Sequence, residues 1–344
     1  SSMMFIVLAI VFGYLVYRKG VSLKIGTVVG VIILFLCVYL GYLFPIQLSL
    51  NTWIVIMMVY IFAASTAPVW ILLQPRDYLN SFLLYAMIAG AVIGIVIFHP
   101  SIQLPAVTAF DVNGQYMFPM LFVIVACGAI SGFHSLVGSG TTSKQIDNEQ
   151  DSRLIGYGAM LIEGVLAVVA LITAAYVSNT ELTELLKGGP VNVFSSGVGT
   201  FMSKFGIPFD IGKSFVALAV SAFALTSLDT ATRLGRFIFQ EFFDNPEKEK
   251  QSIFTNMYVS TLITVLIGGY LAAGGYARIW PIFGSANQLL AALSLLAIAV
   301  WLKKIGKNYH MLIVPMIFML VVTLSALVLL IKSNLAAGNY LLVV

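Results

Sequence analysis

Long apolar runs separated by short polar stretches recur from one end of the chain to the other. Ten of them read as membrane helices: residues 2–17, 26–45, 53–74, 82–98, 117–139, 154–178, 212–238, 253–273, 284–302 and 311–332. Most of these runs come near the roughly 20 mostly apolar residues that a helix needs to cross a bilayer. Backbone groups in lipid must bond within their own segment, and no strand-like alternation marks these runs, so helices are the expected form. The pattern predicts an all-α polytopic membrane protein of about ten transmembrane helices. Residues 1–344 are expected to form a single transmembrane domain.

The polar stretches sort onto two sides. One holds "YRKGVSLK", "QPRDYL", "TSKQIDNEQDSR", "DNPEKEKQ" and "KKIGKNYH", with Arg233 and Arg236 near the end of their span. Of the 18 Lys and Arg, only Lys187, Lys204, Lys213, Arg278 and Lys332 fall on the other side. The positive-inside rule makes the richer side cytoplasmic. The stretch 179–211 is then an extracytoplasmic loop. It is either a plain connector or the seat of a short amphipathic helix, "VNVFSSGVGTFMSK" at 191–204, lying on the outer face. The turn-rich stretch 99–116 is expected to pack over the outer mouth.

Composition narrows the class. The chain is 60% hydrophobic and 9% charged, with a mean hydropathy of +1.00. A soluble domain carries roughly 25% charged residues, which excludes a soluble core of this size. The net charge of +4 is accounted for by the cytoplasmic loops, so no nucleic-acid partner is expected. Membrane lipid and a small-molecule substrate are. Cys37 and Cys127 lie in apolar runs as packing residues, without a disulfide or metal pattern. The chain opens "SSMMFIVLAI", already inside an apolar run, and ends "SNLAAGNYLLVV"; a piece of a longer, transporter-sized protein is expected.

The ionisable residues within the spans are the candidates for chemistry, because charge inside a membrane is costly. They are His134, Glu163, Asp229 and Arg233, on three consecutive runs. Asp229 and Arg233 are four apart, share a helix face and are placed to pair. Thr226, Ser227 and Thr230 surround Asp229, and a cluster of hydroxyls with a carboxylate suits a small cation or a proton. Glu163 has only apolar sequence neighbours; it is suited either to carry a proton or to bond a backbone group freed by a helix break. His134 is the side-chain type that changes charge nearest neutral pH. It serves either an anionic substrate and proton relay or helix packing.

The stretch "ACGAISGFHSLVGSGTTSKQI", residues 126–146, begins as a membrane helix and is then interrupted. Gly128, Gly132, Gly138 and Gly140 permit unwinding, and Ser131, His134 and Ser135 are on hand to meet freed backbone groups. Interrupted helices supply the substrate and ion sites of secondary transporters; "GAISG" also suits close helix packing. Pro68 is expected to kink its span. Arg76 and Asp77 are expected at the cytoplasmic end, as surface anchors or a gate pair. Asn287 and Gln288, in "WPIFGSANQLLAALS", either bond across helices or line a polar cavity.

The four stretches "ACGAISGFHSLVGSGTT", "APVWILLQPRDYL", "LTSLDTATRLGRF" and "WPIFGSANQLLA", in this order, resemble the carbon starvation protein A (CstA) family. The resemblance runs over essentially the whole chain. It implies a bacterial inner-membrane, multi-pass transporter of the APC superfamily with a LeuT-like inverted-repeat bundle. It further implies peptide uptake during starvation, or pyruvate uptake as in related proteins. Two departures stand out: an earlier glycine-rich broken helix of the "GAGP" type is absent from this chain, and "SLVGSG" replaces "ALISSG".

The expected function is therefore a symporter taking up peptides or a small carboxylate by alternating access, and not an enzyme. No cofactor is expected beyond a coupling proton or sodium ion. Substrate contacts are expected from Gly128, Ser131, Gly132, His134, Ser135 and Asn287. Ion coupling is expected from Asp229, Thr226, Ser227 and Glu163. The rival readings are a transporter-like nutrient sensor and an intramembrane hydrolase using Ser135 with His134; adjacent helical residues face about 100° apart, which disfavours the latter.

Overall fold

A computed structural model describes residues 2–112, 115–125, 128, 130–244, 252–273, 276–336 and 338, without the side chains at 2, 112, 115, 276–279 and 281. Cys127, the charged run 245–251, the Arg278 side chain and the Pro281 ring lie outside the described residues.

The chain divides into two compact units: Ser1–Pro105 with Val165–Gly269, and Ala106–Gly164 with Tyr270–Val344. The first unit holds α1 (Ser2–Gly13), α2 (Leu23–Leu43), α3 (Leu50–Thr66) and α4 (Leu73–Phe98). The second contains β1 (Asp111–Val112) paired antiparallel with β2 (Gln115–Tyr116), then α5 (Phe122–Val125) and α6 (Gly132–Gly140). The unit boundary falls inside α7 (Asp151–Ala175). Next, in the first unit, come α8 (Asn179–Lys187), α9 (Pro190–Ser203), α10 (Phe209–Phe243) and α11 (Met257–Ala273). The second unit closes with α12 (Tyr276–Lys304) and α13 (His310–Ala336).

Among the described residues, six helices are long and apolar enough to cross a membrane: α2, α4, α7, α10, the Ile282–Lys304 part of α12, and α13. Met3–Arg18, Leu50–Thr66 and Met257–Ala273 are apolar but shorter. Of the ten expected spans, the third is cut after Thr66 and the fifth is not a continuous helix.

Local chemistry sets several of these boundaries. The Ser49 hydroxyl caps α3, accepting from the Thr52 amide at 3.2 Å. Proline at 68 ends it, since the ring offers no amide hydrogen and forces Ala67 out of the helical region, to φ −70° and ψ 150°. Ser178 caps α8 through the Glu181 amide at 3.3 Å, and Pro190 takes the first position of α9, where a missing N–H costs nothing.

In the first unit α1, α2, α4, α9 and α10 share a core that includes Phe12, Leu34, Leu83, Met87, Val198 and Val216. The short helix expected at 191–204 is present as α9. Val193, Val198, Phe201 and Met202 on it are buried. Its backbone comes so close to α4 that a Cβ on Gly94 would sit 2.6 Å from the Phe201 carbonyl. In the second unit α12 and α13 pack together, and Met120 and Val123 pack with Val322 and Ala326 of α13.

Candidate functional site

In the second unit the interrupted stretch is resolved into its parts. Helix α5 stops at Val125, Ser131 is extended (φ −114°, ψ 133°), and α6 begins at Gly132. The break therefore precedes Gly132. Gly138 and Gly140 lie within α6, so the glycines expected to unwind the segment do so only at its start.

The first turn of α6 is held from another helix. Ser131, in the capping position, makes no capping bond of its own. Asn287 of α12 supplies it: its Oδ1 accepts from the Phe133 amide at 2.8 Å. The Asn287 Nδ2 also donates to the Ser131 hydroxyl at 3.0 Å. Ser131 and Asn287 are both buried. Gly132 has no room for a side chain: a Cβ there would fall against the Asn287 carbonyl and the Leu290 side chain. Ser135 donates to the Gly132 carbonyl at 2.6 Å and lies 2.8 Å from the Ser294 hydroxyl. It makes no bond to His134 among the described contacts. Gln288 and Ser285 of the same helix are fully buried.

His134 lies near α7. Its Nε2 is 3.8 Å from Glu163 Oε1, an ion pair when the imidazole is protonated; the side chains are 53% and 39% exposed. A Cβ on Gly128 would lie 4.0 Å from the same carboxylate oxygen. Glu163 is isolated in sequence, but the fold brings His134 of α6 and Gly128 near it.

In the first unit, Asp229 of α10 is buried and its partner is not Arg233. Arg76 at the start of α4 forms the ion pair through Nη1 and Asp229 Oδ2. The Tyr60 hydroxyl of α3 donates to the same oxygen at 2.7 Å, and itself accepts from Arg76 Nη1. Arg76 is therefore no surface anchor: only 1% of its side chain is exposed. Asp77 Oδ1 lies 3.6 Å from Arg76 Nη2, beyond hydrogen-bond range.

Arg233 is drawn elsewhere by the proline break. A helix continuing through residue 68 would bond that residue's amide to the Ala64 carbonyl. Proline has none, and Arg233 Nη2 donates to Ala64 at 2.9 Å and to Ala67 at 2.8 Å. One turn further on, Arg236 Nη1 donates to the Ser65 carbonyl at 2.8 Å. Two guanidinium groups thus satisfy the orphaned end of α3, where cations are also favoured by the helix dipole.

Of the hydroxyls expected beside Asp229, Thr226 accepts from Asn80 of α4 at 3.2 Å, and Ser227 is exposed on the outer side of α10. Tyr60 and Asn80 were not among the sequence candidates. Tyr60 sits in an unbroken apolar run, and nothing local signals its partner 169 residues away.

The described residues define a class before any comparison does: a multi-pass helical membrane protein with an interrupted helix before Gly132 and a buried charge cluster at Asp229. The chain belongs to the carbon starvation protein CstA family, whose model matches residues 1–186 and 177–326. It is 31% identical over 339 residues to a Peptide transporter CstA of Bacillus subtilis, covering 85% of this chain and 57% of the relative. A Pyruvate/proton symporter BtsT of Escherichia coli is 30% identical over 392 residues, covering 88% and 55%. A Peptide transporter CstA of Mycobacterium tuberculosis is 33% identical over 340 residues, covering 78% and 44%. The chain spans about half the length of the curated relatives it matches. No solved structure matches it.

Proposed function

We propose that the chain is part of a secondary active transporter with a LeuT-like bundle, taking up peptides or a small carboxylate such as pyruvate under carbon limitation. Coupling is to protons or sodium. The observation that carries this reading is the break before α6, whose first turn is held by Asn287 rather than by its own capping residue. A helix N-terminus favours anions, and peptides and pyruvate each carry a carboxylate. In the present arrangement Asn287 Oδ1 holds the Phe133 amide. A substrate carboxylate arriving there takes over that amide, with His134 in the same turn of α6 and Ser131 and Gly132 as its floor. Release of Asn287 then loosens α6 from α12, which is the kind of differential contact that alternating access needs.

Uptake of labelled pyruvate and of a panel of labelled peptides by the full-length protein in proteoliposomes tests this. Gradient-driven accumulation of one class is expected, with KM raised in His134→Ala and lowered in Asn287→Ala, where the Phe133 amide no longer has a competing acceptor. No flux of any substrate would favour a sensor built on a transporter scaffold. Unchanged affinity in His134→Ala would remove His134 from the site.

A further inference from the structure

The buried pair of the first unit has unused bonding capacity on both partners. Asp229 Oδ2 is engaged by Arg76 and Tyr60, while Oδ1 has no hydrogen-bond partner among the described residues; the same holds for Arg76 Nε. Both side chains are at least nine-tenths buried. Buried charge of this kind in a membrane protein marks function more often than architecture.

The surroundings are chemically sparse. From α3 comes Tyr60, from α4 Arg76 and Asp77, and from α10 Arg233 and Arg236, both tied to carbonyls of the α3 end. Helices α1 and α9 pack on α4 and α10 without contributing any ionisable side chain. On α2, Lys24, Tyr39 and Tyr42 are exposed and Cys37 belongs to the apolar core. Tyr60 has a second side. It lines a cavity of 790 Å³ whose wall also includes Trp53, Met57, Ala224, Leu225 and Leu228. Its hydroxyl thus stands between that cavity and the Asp229 carboxylate.

We propose that Arg76 is an ion-specificity determinant: it occupies the cation position at Asp229, so that the carboxylate exchanges a proton and does not hold sodium. Sodium is a hard cation that needs several oxygen ligands; here a fixed guanidinium takes the engaged carboxylate oxygen. A proton needs only one oxygen. It arrives on water in the cavity. The Tyr60 O–H bond breaks as an O–H bond forms on Asp229 Oδ2, and the tyrosine oxygen regains a proton from the cavity side. No net charge remains on Asp229, and Arg76 loses its counter-ion on α10. The carboxylate left near it is Asp77, on its own helix, at 3.6 Å. Protonation therefore unties α4 from α10. This deepens, and rests on, the transport reading above.

The test uses the full-length protein in proteoliposomes, with an imposed pH gradient, an imposed sodium gradient, or substrate counterflow with neither. Wild type is expected to accumulate substrate on a pH gradient and to be indifferent to sodium. The doubly neutral variant Arg76→Gln/Asp229→Asn leaves neither member of the ion pair buried without the other, and is expected to show counterflow but lose accumulation. Tyr60→Phe is expected to slow accumulation. Accumulation by the double variant on a pH gradient, or sodium-driven uptake that needs Asp229, would overturn the proposal. Infrared pH titration of the purified protein gives an independent readout. A protonated-carboxyl band that titrates in wild type and is missing in Asp229→Asn is expected; its absence from wild type would also overturn the proposal. If wild type moves no substrate at all, the transport reading fails while the infrared titration still decides the role of Asp229.

Discussion

The two units bury polar groups in opposite ways. In the first, formal charges are sealed among apolar helices, with Arg76 on Asp229 and with Arg233 and Arg236 on the open end of α3. In the second, the buried groups at the break are neutral, Ser131 with Asn287, while the ionisable pair His134 and Glu163 remains half-exposed. Both arrangements answer an interrupted helix: Pro68 interrupts one, and the segment before Gly132 the other. The difference lies in cost. Carbonyls orphaned by a proline are met by cations, which must themselves be desolvated and are then hard to remove. Amides at a helix start are met by a single carboxamide, which can be exchanged for another acceptor. On the proposed reading, the first unit holds its break and the second releases it.

Breaking one half of the charged cluster should produce the largest effect. Arg76→Ala or Asp229→Ala leaves a buried charge without its partner and is expected to destabilise the full-length protein by about 3–5 kcal/mol. Thermal unfolding in detergent, followed by size-exclusion, reads this. Arg76→Met/Asp229→Leu, which replaces both charges by apolar groups, is expected to recover most of the loss. A double variant no better than either single one would mean that the pair is not an isolated unit.

The clamp on α3 comes next. Arg233→Met removes the donor to two carbonyls and is expected to cost about 2 kcal/mol, since bonds from charged donors are worth roughly 1.5–3 kcal/mol. If Pro68 is the reason Arg233 is needed, the cost must shrink in a Pro68→Ala background, where an amide returns for the Ala64 carbonyl. A double-mutant cycle on melting temperature should show coupling of about 0.5–3 kcal/mol. Additive effects would separate the arginine from the proline.

Asn287→Ala, the corresponding break in the second unit, is expected to cost about 1–2 kcal/mol, the range for losing a helix cap. Asn287→Asp keeps the acceptor for Phe133 and should recover part of it in stability, but places a negative charge where a substrate carboxylate would bind. The two variants together sharpen the contrast between units: a stability loss without a change in KM would make Asn287 a fixed clamp like Arg233.

Much of this was readable from the chain. Long apolar runs marked the helices, and glycines with Ser131 marked the break near 126–142. Pro68 marked the end of α3. Partners across helices were not readable. Spacing placed Asp229 beside Arg233, four residues on, but the proline freed carbonyls that outcompete a neighbouring carboxylate for that guanidinium. Arg76 looked like a surface anchor because it follows a proline at the end of an apolar run; only the packing of α4 on α10 shows that it points inward. How deeply α9 is buried was not readable for a related reason. Its small residues, Ser195, Ser196, Gly197 and Gly199, resemble a polar face, yet they are the flat side on which α9 approaches its neighbours. Hydroxyls can bond their own helix, as Ser195 does to the Asn192 carbonyl at 3.4 Å, and then count as small rather than polar.

The smallest expected effect bears on the same confusion. Ser227 follows Thr226 in the cluster that drew attention to Asp229, yet its side chain is exposed while Thr226 meets Asn80. Residues 227 and 229 are two positions apart on a helix, about 200° around its axis, so they cannot face the same ligand. Ser227→Ala is therefore expected to change stability by less than about 0.5 kcal/mol, as exposed substitutions do, and to leave pH-driven uptake as it is in wild type. Thr226→Ala, by contrast, removes the acceptor of a part-buried bond to α4 and should lower the melting temperature. Lost coupling in Ser227→Ala with intact coupling in Thr226→Ala would reverse the assignment and move the ion path to the outer side of α10.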